Sequence, residues 1–421
     1  MFRTVSSAPL LLSALLLSCP VVAAEAPLAP WRPFLDRVLS DHPRAAQAES
    51  GVAQAEAEAE VLAQPLYNPE IGYAGEYKRS PAGSGSDSVG DTSLKSVVEV
   101  ALTTDFGVKQ ESRRLIGQRG IAVARADSAE ARLALAGEAL AGLARFQGAR
   151  RQEALAARQQ AAMDSFLRLA ERLRQAGDSS AADLALARLA LAETARVAAD
   201  ARIELAQARE ALRGLCDCDP AGIAALPDPL SPELLGGPGG DEARLDDLPA
   251  VQAGRARIET ARADLRLARD ERVPDPTFRL GGGRDGSATL VTFGVSLPIP
   301  VLNSGSARVV SAGRGLASAE AAEMTARRAA RTEIAATRAA ATEAWQGWQA
   351  WRAQAGAPLD QQIALLDRLW VGREISATDY FVQLRETVRA AQQGAELWTR
   401  AWTTLADGLR AANRIDNVVG L

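Results

Sequence analysis

Residues 291–297 read Val-Thr-Phe-Gly-Val-Ser-Leu, so that apolar side chains alternate with small or polar ones. Period-two alternation is typical of a β-strand whose two faces meet different environments. Three other segments alternate in the same way, with apolar residues Ile71, Tyr73, Tyr77; Val98, Val100, Leu102; Phe278, Leu280. We therefore predict two β-hairpins, at about 70–104 and 276–298, with turns at residues 80–91 and 282–287.

The apolar faces of these hairpins leave two interpretations open. They are either exposed hairpins on a soluble protein or strands that face membrane lipid. An isolated hairpin is marginally stable in water, and unclosed strands in lipid leave backbone groups unpaired. Four strands also fall short of the eight in the smallest single-chain membrane barrels. Membrane strands would therefore require two chains (eight strands) or three (twelve), between which the strands do not decide.

An internal repeat organises the chain. Arg119-Gly120 corresponds to Arg314-Gly315, and Ser180–Asp183 corresponds to Ser376–Asp379, at offsets of about 195. We divide the chain into a predicted signal peptide (1–24), a first repeat (25–218), a Pro- and Gly-rich connector (219–241) and a second repeat (242–421). Each repeat is predicted to contain a helix, a β-hairpin and a long helical hairpin.

The long helices set the size of the molecule. About 70 residues after Gly107 lack proline, and a similar stretch follows Gly305 with Pro358 alone. A continuous helix of that length spans roughly 100 Å. Leucine and alanine recur every seven residues from Leu184 to Leu212, which favours coiled-coil packing. The helical hairpins are predicted to turn near residues 177 and 373. We interpret five tryptophans at helical spacing as packing residues: Trp345, Trp348, Trp351, Trp398 and Trp402.

Composition excludes several classes of protein. The chain has 421 residues and a mean hydropathy of −0.08, which excludes a bundle of membrane helices. With 48 Lys and Arg against 52 Asp and Glu, nothing marks a nucleic-acid binder. One His, three Met and three Cys do not suit a metal-chelating protein, and no catalytic or cofactor-binding constellation is present. The lone His42 precedes Pro43 and is predicted to start a helix.

The cysteines have separate interpretations. Residues 1–24 have the charged start, apolar stretch and small-residue end of a secretory signal. A lipoprotein signal with Cys19 as the lipid anchor is the alternative. Cys216 and Cys218 are interpreted as a loop disulfide or free thiols, with metal contact as a further alternative.

The ordered motifs resemble the TolC-like outer-membrane efflux proteins, most closely the CzcC-type heavy-metal branch. The motifs are Asn68-Pro69-Glu70, Pro274-Asp275-Pro276-Thr277, Leu297–Asn303, and a Gly-x-x-Ser-x-x-Asp tip at Gly177–Asp183. The resemblance implies a mainly α protein with a small β part. It implies a homotrimer whose twelve-stranded β-barrel, four strands per chain, lies in outer-membrane lipid on a long periplasmic α-helical barrel.

The family resemblance also implies a function without enzymatic activity, cofactor or bound metal. The chain would be a passive outer-membrane duct for heavy-metal cations, docked through a periplasmic adaptor to an inner-membrane RND-type pump. A drug or type I secretion duct of the same fold is the alternative, and a periplasmic coiled-coil adaptor is a weaker one.

Two sets of residues are the implied functional sites. The hairpin tips would dock the adaptor and close the entrance: Gly177, Asp178, Ser179, Ser180, Asp183, Gly372, Arg373, Glu374, Ile375, Ser376, Asp379. Asp183 and Asp379 would form acidic rings if they face the lumen. Alternatively, they are ordinary acids of a first helical turn, which the helix dipole stabilises. Glu76, Glu99 and Arg279 lie on the polar strand face and are predicted to line the barrel.

Overall fold

A computed structural model describes residues 29–79, 92–106, 108–177, 180–236, 244–354, 359–372 and 374–415. The predicted signal peptide with Cys19, the predicted turn at 80–91, and the tip residues Asp178, Ser179 and Arg373 lie outside the described residues.

Two similar series of elements follow each other along the chain. The first contains α1 (Arg32–Asp41), α2 (Pro43–Ala63), β1 (Glu70–Arg79), β2 (Thr92–Thr103), α3 (Val108–Gln175) and α4 (Ala181–Cys216). The second contains α5 (Pro249–Asp270), β3 (Thr277–Asp285), β4 (Ala288–Ser296), α6 (Ser306–Gln354), α7 (Leu359–Val371) and α8 (Ala377–Ala411). The order of helix, hairpin and long helices agrees with the repeat seen in the sequence.

Pro43 and His42 define the start of α2. Pro43 occupies the first turn of α2, where its missing N–H costs nothing. The His42 Nδ1 atom accepts a hydrogen bond from the Arg44 backbone N–H at 3.1 Å. His42 therefore caps a helix, as predicted.

The 68-residue α3 is the central helix of the chain. It packs against α2 and α5 in its first half and against α4 and α8 in its second half. A Cβ atom on Gly117 would lie 2.8 Å from the Ala59 Cα atom, so glycine allows α2 and α3 to approach closely there. Small residues thus let neighbouring helices pack closely without large aromatic side chains between them.

The four strands form one antiparallel sheet in the order β1-β2-β3-β4. Val100 of β2 pairs with Ile71 on one side and with Leu280 on the other, and Leu280 in turn pairs with Phe293. The predicted apolar side chains therefore form continuous rows on one face, and they are exposed in the chain. The strands β1 and β4 form the two edges.

The predicted turn at residues 282–287 is wrong. Strand β3 continues to Asp285, and the hairpin turns at Gly286 and Ser287, with Gly286 at φ 61°. Two-residue turns with a positive φ match the twist of paired strands. Gly283 serves packing instead, because a Cβ there would overlap the Ser96 carbonyl oxygen and lie 2.8 Å from the Val97 Cα atom.

The main core lies where α1 and the connector wrap the middle of the long helices. Trp398 and Trp402 are buried there, and both indole N–H groups donate to the Pro227 carbonyl oxygen, at 3.2 and 3.0 Å. Trp31 donates to Ala224 at 2.9 Å. All three tryptophans pack the connector onto the helices, and the burial of Trp398 and Trp402 agrees with their predicted role as packing residues. Within the described ranges, no helix is both long and apolar enough to cross a membrane.

Neighbouring glycines offer a matched test of the sheet packing. We expect Gly283→Ala to destabilise the protein by about 1–3 kcal/mol, because the added methyl group must separate β2 from β3. Gly282→Ala is the control, since a Cβ at Gly282 meets nothing within 4 Å. Thermal unfolding in detergent, followed by circular dichroism, would measure both. Equal stability of the two variants would contradict the tight packing at Gly283.

Candidate functional site: the polar sheet face, the hairpin tips and the junction

The predicted lumen residues share one face of the sheet. Glu76 pairs across the strands with Lys95, Glu99 with Gly281, and Arg279 with Ala101, all on the face opposite the apolar rows. The structure therefore places Glu76, Glu99 and Arg279 together on the polar face, as the alternation predicts.

Glu99 stands out from its row on this face. Its partners across the sheet are Gly72 on one side and Gly281 on the other. A Cβ on Gly72 would lie 3.2 Å from the Glu99 Cγ atom, and one on Gly281 would lie 3.1 Å from the Glu99 Cβ atom. The glycines leave room for the carboxylate between them, so it is the longest side chain in that row.

The Glu76 carboxylate belongs to a row of mixed charge. It pairs in register with Lys95, which pairs with Asp285, and it also lies 3.8 Å from the Lys78 ammonium group. Exposed ion pairs of this kind contribute little to stability. The row can instead attract ions of either sign along the polar face.

The first helical hairpin, formed by α3 and α4, has a complete capping motif at its tip. Gly177 adopts a left-handed conformation, with φ 82°. The Ser180 backbone N–H donates to Asp183 Oδ2 at 2.9 Å, and the Asp183 N–H donates to Ser180 Oγ at 3.1 Å. This reciprocal capping box starts α4 and satisfies two N–H groups of its first turn.

The second tip repeats this geometry. Ser376 and Asp379 form the same capping box at the start of α8, with the Asp379 N–H donating to Ser376 Oγ at 3.1 Å. Gly372 and Glu374 are exposed at this tip, whereas Ile375 packs against the neighbouring apolar cluster. Both tip aspartates therefore act as capping acids, and their predicted place in a lumenal ring stays a prediction.

An aromatic cluster next to the tips joins the two hairpins. Phe166 of α3 stacks on Tyr380 of α8, with ring centroids 5.0 Å apart, and contacts Trp370 of α7 at 5.4 Å. The Tyr380 hydroxyl donates to Asp367 Oδ1 at 2.6 Å. Burial, and then this hydrogen bond, raise the pKa of Tyr380, so the phenol stays protonated and keeps donating. The cluster fixes α7 against α8 close to the predicted entrance.

A buried ion pair connects the sheet to the helices. The Lys109 ammonium group, at the start of α3, lies 2.6 Å from Asp275 Oδ1 and donates to the Val273 carbonyl oxygen at 2.8 Å. The Tyr67 hydroxyl donates to Asp275 Oδ2 at 2.7 Å, and this bond, with burial, raises the pKa of Tyr67 to about 12. Asp275 thus binds groups from both sides of the first hairpin.

Sequence reasoning missed both the aromatic cluster and this ion pair. The weak signal for the ion pair was composition, because Lys109 is one of three lysines in a chain rich in arginine. Asp275 also stands between Pro274 and Pro276, which fix its backbone. The aromatic cluster gave no local signal, since Phe166 lies more than 200 positions before Trp370 and Tyr380 in the sequence.

The two remaining cysteines form a disulfide. The Cys216 and Cys218 sulfur atoms are bonded, with Asp217 between them at φ 43°. A disulfide has no thiolate for a metal, so the metal alternative for this pair is wrong. Among the described residues, no group of three or more His, Cys, Asp or Glu side chains is arranged to hold a metal ion.

The sequence matches a known protein family over part of its length. Residues 34–216 match the family described as outer membrane efflux protein. The predicted resemblance is confirmed, and this family and fold are those of outer membrane channels rather than enzymes.

The chain also resembles individual proteins. It is 31% identical over 146 residues to the cobalt-zinc-cadmium resistance protein CzcC of Cupriavidus metallidurans, covering 32% of this chain and about a third (34%) of that protein. A membrane protein from Pseudomonas aeruginosa shares the fold with a TM-score of 0.75 and 20% identity, over 91% of this chain and 93% of the other. CusC, described as forming a transmembrane channel, has a TM-score of 0.69 and 16% identity, over 90% and 91%. The mainly helical fold with a four-stranded sheet is therefore confirmed.

The aromatic cluster yields a test of how the hairpin tips are held. We expect Tyr380→Phe to increase amide hydrogen exchange in α7, because the ring stays packed while the bond to Asp367 is lost. A hydrogen bond to a charged group contributes roughly 1.5–3 kcal/mol. Exchange in β2 is the internal control and should not change. Adding Asp367→Asn to Tyr380→Phe should have little further effect; additive effects of the two substitutions would refute the coupling.

Proposed function

We propose that three copies of this chain form a passive exit duct in the outer membrane, through which exported substrate leaves the periplasm. The twelve strands would form one barrel in the lipid, and the long helices would form a tube below it. The protein would have no catalytic role.

The sheet is the observation that carries this proposal. Its apolar face exposes large side chains, including Ile71 at 80% and Phe293 at 74% exposure. Its edges, β1 and β4, present backbone groups to any strand that lies beside them. An exposed apolar face with open edges suits a barrel shared between chains, because lipid cannot satisfy unpaired N–H and C=O groups. The outer-membrane channels that share the fold support the choice of three chains.

Heavy-metal cations are the proposed substrate. Support comes from the similarity to CzcC, a cobalt-zinc-cadmium resistance protein, over about a third of its length. The polar sheet face adds physical support. If it lines the duct, Glu99 would repeat three times at one level, and such a carboxylate ring attracts cations. A drug duct of the same fold remains the alternative that the experiment must separate.

The proposed partners meet the duct at its periplasmic end. The tips at Gly177–Asp183 and 372–379 would contact a periplasmic adaptor, which would connect the duct to an RND-type inner-membrane pump. Among the described tip residues, Gly177, Ser180, Gly372, Glu374 and Ser376 are exposed, and both α4 and α8 begin with a capping box. A partner could bind these preformed helix ends without refolding them, so little conformational entropy would be lost on docking.

Substrate class is tested by deleting the gene in its own host. We expect the deletion to sensitise cells to Co²⁺, Zn²⁺ and Cd²⁺ and to leave sensitivity to hydrophobic drugs unchanged. The wild-type gene should restore resistance, whereas Gly283→Ala, which disturbs the sheet, should restore it less well than Gly282→Ala. Sensitisation to drugs alone would contradict metal export and leave the duct standing.

The tip aspartates can be tested for charge separately from capping. Asp183→Asn keeps an oxygen that can accept from the Ser180 N–H, whereas Asp183→Ala removes this half of the capping box and should cost about 1 kcal/mol of stability. If the charge serves the entrance, Asp183→Asn with Asp379→Asn should lower metal resistance at unchanged thermal stability. Full resistance of this double variant would show that the two residues only cap their helices.

A further inference from the structure

A set of apolar side chains surrounds the place where the sheet joins the helices. We name it the collar, and its members are Leu66, Phe106, Val273, Ile299, Val301 and Leu302. Phe106, Val301 and Leu302 are 73%, 81% and 99% exposed. Large apolar side chains at such exposure, grouped at one level of a molecule, mark a contact surface.

Both repeats build the collar at equivalent positions. Leu66 lies two residues before Asn68-Pro69, as Val273 lies two residues before Asp275-Pro276. Phe106 and Leu302 are 196 residues apart, the offset that also relates the two tips, and each lies shortly before a long helix. The collar is thus a property of the repeat rather than one exceptional loop.

Phe106 is held outward by local structure. Its φ of 54° is rare for a bulky residue. Its N–H donates to Thr104 Oγ1 at 3.1 Å, and the following helix is capped by Asp105, whose Oδ2 accepts from the Gln110 N–H at 3.0 Å. A backbone conformation that costs energy yet exposes a phenylalanine calls for a compensating contact outside the chain.

Residues 297–302 extend the apolar face beyond β4. Leu297, Ile299 and Val301 continue the odd-numbered row of Val291, Phe293 and Val295, while Pro298 and Pro300 line a cavity of about 640 Å³ at the junction. Prolines have no N–H to leave unpaired, and the Val301 N–H donates to the Ile299 carbonyl oxygen at 2.9 Å. From Ser296 to Ala307 the sequence has no charged residue. The segment is therefore suited to a site poor in water.

We propose that the collar inserts into the periplasmic leaflet of the outer membrane, at the boundary between phospholipid headgroups and acyl chains. The proposal rests on the proposed outer-membrane duct and adds a lipid contact outside the barrel strands. Exposed Arg272, whose Nε–H donates to the Ser304 carbonyl oxygen at 3.3 Å, lies beside the segment and can meet lipid phosphate groups.

Lipid suits the collar better than a second copy of the chain does. A neighbouring copy would pair with the edge strands β1 and β4. Phe106 follows β2 and Val273 precedes β3, and both of these are interior strands of the sheet. A partner at the edges leaves these two side chains uncovered, whereas a continuous leaflet covers the collar residues next to all four strands.

Spin labels measure the depth of the collar directly. A nitroxide is attached to Leu302→Cys in the full chain, reconstituted in phospholipid vesicles, and its collision rates with oxygen and with a water-soluble nickel chelate are compared. Phe293→Cys, on the apolar sheet face, is the lipid control, and Met324→Cys, exposed on α6, is the water control. Cys216 and Cys218 are held in the disulfide, and the labelled wild-type chain gives the background.

We expect the label at 302 to favour oxygen over the nickel chelate, as at 293, and to differ from 324 by at least several fold in that ratio. A second label at Phe106→Cys should behave alike. Nickel access at 302 equal to that at 324 would overturn the collar, and shielding from both agents would mean that protein covers it. A label at 293 open to nickel would instead overturn the outer-membrane duct itself.

Discussion

The unpaired edges of a four-stranded sheet constrain the rest of this molecule. Among the residues that the structure describes, no strand pairs with the outer edge of β1 or of β4, and one sheet face is covered by apolar side chains. Water can form hydrogen bonds with the unpaired edges, but exposure of the apolar face to water is unfavourable. Lipid solvates the apolar face but cannot pair the backbone groups of the edges. A barrel shared between chains satisfies both demands, and the long helices below must then take up the same symmetry.

The buried Lys109–Asp275 pair shows how the two parts are joined. A charge pair taken out of water is costly unless further hydrogen bonds compensate it, and here Val273 and Tyr67 supply them. The pair connects residues 166 positions apart, one from each repeat. It holds the start of α3 to the entry into β3, so the sheet cannot tilt independently of the helices.

Local pattern predicted the elements better than their contacts. The alternation around Phe293 and the proline-free stretch after Gly107 located the strands and helices, because both depend on neighbouring residues. Gly283 was assigned to a turn because glycine is common in turns, and only the approach of β2 shows its packing role. The polar face of Glu99 follows from period two, whereas the Tyr380–Asp367 bond depends on how helices cross, which no short motif encodes.

Both Trp398 and Trp402 donate to the single carbonyl oxygen of Pro227, and this arrangement makes α8 a lever with a fixed pivot. Trp398 lies 22 positions after Ser376 at the tip, which corresponds to roughly 33 Å of helix. A rotation of about 10° at the pivot would therefore move the tip by roughly 6 Å, a distance comparable to one helical turn. In the proposed duct, small angular changes of α8 below the connector would therefore be enough to widen the periplasmic end.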